Sequence, residues 1–367
     1  MSVPAHIPAA AVARAGRLAT VRPARLSTLW AVVAALCLAG AALVGVLVGP
    51  VGLAPGPVIR ELASHLPWLG IHSGLGARES AIVWELRVPR VVLGALVGGM
   101  LSLAGATYQG VFRNPLADPY LLGSGAGAGL GATLAIVYGH GASLGGVNLV
   151  PAAAFLGAAG GVGCSWLLGR TSGGAGERSI VALALAGVAV MSFLTAVQTF
   201  VQQRQSQTLQ EVYSWILGRL HTAGWADVKL VLPYVAVCSV VILVCRRRLD
   251  VLRLGDDEAH SLGVEVGRTR LLLVVAATLG TAAVVAVSGL IGFVGLVVPH
   301  AVRLAFGASY RVVLPLSLVF GGAFMVLADV LSRELLAPAE LPIGVVTAFI
   351  GAPFFGLILH RAVRRSR

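Results

Sequence analysis

The chain has 367 residues, 57% of them hydrophobic and 11% charged, with a net charge of +12 and a mean hydropathy of +0.90. Those values lie far outside the range of soluble globular domains and exclude a water-soluble enzyme as the body of the protein. A nucleic-acid-binding face is excluded as well, because the 26 arginines and the single Lys229 are distributed between apolar runs rather than gathered on one surface.

Residues 1–26 are rich in Ala, Pro and Arg without apolar periodicity and read as a disordered basic tail. The first apolar run, Leu29 to Val48, follows basic residues as a signal peptide does, but it is longer than a signal core and lacks a clear A-x-A site, so a retained anchor is expected. The rest, 27–367, reads as one transmembrane domain. At roughly 20 apolar residues per crossing, spans are expected near 27–49, 88–109, 119–138, 148–168, 179–202, 226–246, 268–289, 290–306, 311–332 and 342–362. The runs are continuously apolar rather than alternating, which selects helices over a barrel. The expected fold class is therefore an all-α integral membrane protein of about ten transmembrane helices.

With the N-terminus inside, this layout puts 19 of the 27 basic residues on the cytoplasmic side, so the positive-inside rule places both termini there. Most of these arginines are expected to meet anionic lipid headgroups. Glycines recur at four-residue spacing at Gly94 and Gly98, Gly123 and Gly127, Gly125 and Gly129, Gly127 and Gly131, and Gly157 and Gly161. Such pairs let helices approach closely. The run Gly123-Ser124-Gly125-Ala126-Gly127-Ala128-Gly129 puts small residues on every face, which suits either a tightly surrounded span or the wall of a passage. Cys37, Cys164, Cys238 and Cys245 lie in or at the ends of apolar runs with no C-x-x-C pair and read as small packing residues. His140, His221 and His300 are scattered, so no metal site and no cofactor is expected.

The spans carry almost no ionisable groups, whereas a carrier coupled to ions needs them at membrane depth. Asp329 is the main exception, and Arg333, four residues later, is its expected partner. The chain holds no G-x-x-x-x-G-K-[ST], so it has no P-loop of its own. The longest inward polar stretch, Arg246 to Arg270, includes Leu254-Gly255-Asp256-Asp257-Glu258-Ala259-His260-Ser261-Leu262-Gly263. Asp256 is a candidate N-cap and Gly263 a terminator, which predicts one short amphipathic helix on the cytoplasmic surface, suited to a groove on a soluble partner.

The ordered blocks WELRVPR (84–90), GATYQGVFRNPLADPYLLG (105–123), LGDDEAHSLGV (254–264), GLIGFVGLVVPHAVRL (289–304), LADVLSR (327–333) and PAELPIGVVTAFIGAPFF (338–355) resemble the FecCD-type permease subunits of ATP-binding-cassette importers for iron chelates (siderophores or haem) and cobalamin. The resemblance spans roughly residues 27–365. It departs from the family pattern in a longer N-terminal tail and a glycine-rich start to the third span.

The resemblance implies the type II importer permease fold and an assembly of two permeases side by side, on two ATPase subunits, fed by a periplasmic or lipoprotein substrate-binding protein. It implies that Arg87, Arg90 and Arg333 face outward and meet acidic residues of the binding protein. Within the segment 247–267, it implies that Leu254, Gly255, Asp256, Asp257, Glu258, Ala259, Leu262 and Gly263 rest on the ATPase as the coupling region. Cargo is expected to pass near 179–202, with Gln198, Gln202 and Gln203 wetting the mouth. Two classes stay open: a non-catalytic permease of an ATP-driven importer, with an iron chelate first and cobalamin second as cargo, and an ion-coupled carrier.

Overall fold

The computed structural model describes residues 26–65, 72–139, 143–144, 147–171, 177–220 and 223–365. The expected tail up to residue 25, and His140 and His221, lie outside the described residues. Ten helices occupy the ten expected spans: α1 (Thr28–Leu47), α3 (Ala77–Val111), α4 (Ser124–Gly139), α5 (Leu149–Thr171), α6 (Glu177–Arg204), α8 (Trp225–Val244), α11 (Val266–Ser288), α12 (Val294–Phe306), α13 (Tyr310–Glu334) and α14 (Ile343–Arg365). Seven of the described helices, namely α1, α3, α5, α6, α8, α11 and α13, are long and apolar enough to cross a membrane. Four shorter helices sit outside the spans: α2 (Pro55–Ser64), α7 (Leu209–Ile216), α9 (Arg246–Leu252) and α10 (Asp256–Ser261). A two-residue antiparallel ladder pairs Ser143 with Asn148 between α4 and α5.

Burial separates centre from rim. The apolar window of α3 is 83% buried and that of α11 72%, against 22% for α1 and α6. The rim helices turn leucines and phenylalanines outward, as at Leu36 and Phe193, which is what a lipid-facing helix requires. In the centre the helices meet at backbone distance. A methyl group added at Gly105 would lie 2.0 Å from the Gly295 carbonyl oxygen, one at Gly98 2.2 Å from that of Gly321, and one at Gly127 2.1 Å from that of Gly157. With no hydrophobic force between helices in lipid, such close van der Waals packing is what holds them together. The four-residue spacing was a true signal at Gly98, Gly127, Gly157 and Gly161, while Gly105 and Gly295 carry no such pattern.

Two expected spans begin late. Residues 119–123 form turns, closed by Gly123 in the left-handed region, before α4 begins at Ser124. Residues 290–293 are also irregular, with Phe293 at φ 68° ahead of α12. At 13 residues and about 1.5 Å per residue, α12 spans about two thirds of a bilayer core. The non-helical backbone before it is served by Tyr120, whose hydroxyl accepts from the Ile291 N–H and donates to the Ile291 carbonyl, both at 3.2 Å. Irregular backbone at membrane depth is tolerated only under such cover. Within α3, Ile82–Arg87 is π-helical. The wider turn relieves the clash that the ring of Pro89 imposes on the preceding carbonyls.

The substitution Gly105→Ala is expected to destabilise the protein by about 1–3 kcal/mol, read as a lower thermal midpoint in detergent. Gly160→Ala, where a methyl group meets nothing within 4 Å, is expected to leave the midpoint in place.

Candidate functional site

Arg87, Arg90 and Arg333 come together at one end of the bundle, where α1, α13 and the start of the apolar part of α3 meet. The reason lies in α1, whose last turn has no basic residue of its own and leaves carbonyls without partners. Arg87, 5% exposed, donates to the carbonyls of Val46 at 2.9 Å, Leu47 at 3.1 Å, and Val51. Arg333, 3% exposed, donates to Val48 at 2.9 Å and Gly45 at 3.1 Å. These two guanidiniums cap a helix, and each is turned inward rather than toward a partner. Sequence reasoning missed this role because carbonyls at a helix end 36 to 288 positions away leave no local signal.

The expected pairing of Asp329 with Arg333 is present at 3.2 Å. Asp329 has a closer partner in Arg90, which binds both of its oxygens, through Nε at 3.0 and 3.1 Å and through Nη2 at 2.8 Å. Arg90 also holds Glu340 at 2.9 and 3.0 Å. Its side chain is 12% exposed and that of Glu340 31%, so this pair is where the cluster reaches the surface. Beside it, α2 is fastened to the start of α3 by Glu61, which accepts from Ser80 at 2.5 Å. Hydrogen bonds from Ser73 and Ser80 hold the Glu61 carboxyl below its ordinary range.

The second group lies at the opposite end, on α9 and α10. The expected short helix forms over Asp256–Ser261 and ends at Gly263, φ 78°. The N-cap differs from expectation. Gly255, at φ 138°, occupies that position with no side-chain cap, and Asp256 is the first helical residue. Its carboxylate turns away from the backbone to Arg113 at 2.5 Å and Arg270 at 3.0 Å, since two guanidiniums outcompete neutral N–H donors for a carboxylate. Ala259 is fully buried, and Asp257 and Glu258 face solvent. Leu254 and Leu262 flank the helix with 62% and 60% of their surface exposed. Glu265 forms only an exposed pair with Arg268.

The third group lines a cavity of about 380 Å³ walled by Tyr120, Thr195, Gln198, Thr199 and Gln202, with Gly125 and Ala126 of α4 among its other walls. Gln198 donates to Thr133 Oγ1 at 3.2 Å, and both Gln198 and Gln202 are under 10% exposed. Gln203 is exposed and is not among the residues that wall the cavity. The glycine-rich start of α4 packs closely at Gly127, as Gly131 does one turn on, and walls this cavity at Gly125.

Removing a carboxylate from the buried arginine cluster leaves charge without compensation. Asp329→Asn is expected to cost about 3 kcal/mol or more, while Glu265→Gln, at an exposed pair, stays within about 0.5 kcal/mol. Equilibrium unfolding in detergent compares the two directly.

Residues 20–361 match the family model of the FecCD transport family. The chain is 41% identical over 315 residues to the cobalamin import system permease protein BtuC of Halobacterium salinarum, covering 83% of each chain. It is 38% identical over 295 residues to the hemin transport system permease protein HmuU of Yersinia pestis, covering 77% of this chain and 85% of the relative. The fold matches a solved inward-facing structure assigned to the metal-chelate type of ABC transporters, with a TM-score of 0.77 and 29% identity, covering 90% of this chain and 98% of the other. Matching the family model and these relatives over most of its length, the chain belongs to the FecCD transport family.

Proposed function

We propose that the chain is the membrane-spanning subunit of an ATP-binding-cassette importer that carries a metal chelate across the cytoplasmic membrane. An iron chelate, siderophore or haem, is the first reading of the cargo, supported by the hemin and metal-chelate relatives. Cobalamin is the second, favoured by the similarity to the cobalamin permease. The observation that carries the proposal is the α9–α10 segment. Two large apolar side chains, Leu254 and Leu262, stand more than half exposed at a polar, water-facing end of the bundle, on either side of a helix whose own apolar contact, Ala259, is already spent inside. Exposed apolar pairs of this kind mark a protein interface, and the absence of a P-loop in the sequence calls for a separate ATPase.

In this reading α10 rests on the ATPase, two copies of the permease stand side by side, and the Gln198–Gln202 cavity belongs to the passage between them. The arginine end faces the substrate-binding protein. Arg90 is the member placed to exchange Glu340 for an acidic group of that protein, with Arg87 and Arg333 holding α1 behind it. Charge pairs at such a rim govern capture rate and register. Both termini lie on the ATPase side, in keeping with the arginine asymmetry.

The double substitution Leu254→Asp and Leu262→Asp is expected to weaken binding of the partner ATPase by at least about tenfold while leaving the thermal midpoint unchanged, since both side chains are exposed. A dissociation constant equal to that of the unaltered chain would remove α10 from the interface. Hemin uptake that resists excess cobalamin would assign the cargo to the iron chelates.

A further inference from the structure

Arg113 occupies an unusual seat. At the end of α3 the Asn114 N–H bonds the Gln109 carbonyl and the Arg113 N–H bonds that of Gly110, the pattern in which the intervening residue is left-handed and normally glycine. Here that residue is Arg113, at φ 50°. A side chain held in this conformation has a surrounding structure that over-determines it, and the surroundings are explicit. The guanidinium donates from Nε to the carbonyl of Leu252 at 2.8 Å and from Nη2 to the Asp256 carboxylate at 2.5 Å. Leu252 ends α9 and Asp256 begins α10, so one side chain of α3 clamps both arms of the α9–α10 bend. From the other side Arg270 of α11 holds the same carboxylate at 3.0 Å. All three side chains are 12–21% exposed, which shields the pairs from screening by salt.

The residues after Arg113 run directly to the passage. Pro119 packs against Gly295 at the start of α12, and Tyr120 bridges to Ile291 and walls the cavity beside Gln198. We infer that Arg113 is a positioning residue for transport: it makes α10 and the turn 112–120 move as one body, so that displacement of α10 by the ATPase is delivered to the Tyr120 wall of the passage. The inference rests on the proposed role of α10. Without Arg113 the bend keeps the packing of α9 against α3, as at Leu249 against Gly110, which anchors α9 but leaves α10 without its tie to the turn.

The informative variant is Arg113→Gly, because glycine suits the left-handed seat and the helix end is preserved while the guanidinium is lost. In proteoliposomes holding the permease, its ATPase and the binding protein, Arg113→Gly is expected to keep ATPase binding and to lower hemin transported per ATP on the order of tenfold. Asp256→Asn is expected to give a similar loss, and the double variant no more than either alone, since the pair acts as a unit. A nitroxide at Leu116→Cys, with the exposed Cys37 and Cys164 replaced by Ser, reports the turn itself whatever the cargo. Its spectrum is expected to change on ATP binding in the unaltered chain and to stay constant in Arg113→Gly. A label that responds equally in both, or undiminished hemin per ATP, overturns the inference while leaving the importer reading intact. A permease that never binds the ATPase overturns both.

Discussion

Backbone groups that no helix satisfies are the constraint around which this protein is arranged. Inside a bilayer an unpaired N–H or carbonyl has no water to turn to, yet the chain breaks its helices at several places within the bundle. Each break is covered by a named group. The end of α1 is capped by Arg87 and Arg333 and the start of α12 by the Tyr120 hydroxyl, while the stretch after α7 is covered by backbone alone, the Arg219 N–H donating to the Ser288 carbonyl and the Gly344 N–H to the Leu217 carbonyl. At the water-facing end, outside the spans, the end of α9 is likewise covered by Arg113. The side chains that perform this cover are the polar and charged ones that sequence reading singles out as functional, and the two uses are not in conflict. A residue that satisfies a broken helix also fixes how the segments on either side of the break move.

Between the breaks the bundle is held by contact rather than by water exclusion. Where α3 meets α12 and α13, and α4 meets α5, glycines bring backbones to a separation that no side chain would permit. Packed interfaces of this kind shift between discrete arrangements instead of bending continuously. On the proposed role of α10, a motion imposed there would be carried as displacement of whole segments, through Arg113 and Tyr120 toward the polar cavity beside Gln198.

The ten apolar segments were legible in the sequence because runs of about 20 apolar residues have few other uses. The irregular stretches 119–123 and 290–293 were not, because they are as apolar as the helices they precede, and hydropathy is blind to backbone conformation. Asp329 with Arg333 was legible as a pair four residues apart on one helix. Arg90 with Asp329 was not, since 239 positions separate them. At α10 the helix and its glycine stop were read correctly, but the capping role of Asp256 was not, because the competing guanidiniums come from α3 and α11. The grouping of Gln198 with Gln202 was legible from their four-residue spacing, whereas the burial of that face and the exposure of Gln203 depend on how α6 packs against α4, which spacing alone does not reveal.

The account makes the chain a passage with a lever, driven by energy released in another subunit. The most direct test is solute accumulation in sealed proteoliposomes containing the permease alone or together with its ATPase and binding protein, with hemin and cobalamin as probes. The account predicts uptake only in the complete assembly and only with ATP. Accumulation of either probe by the permease alone, driven by a proton or sodium gradient, would contradict it.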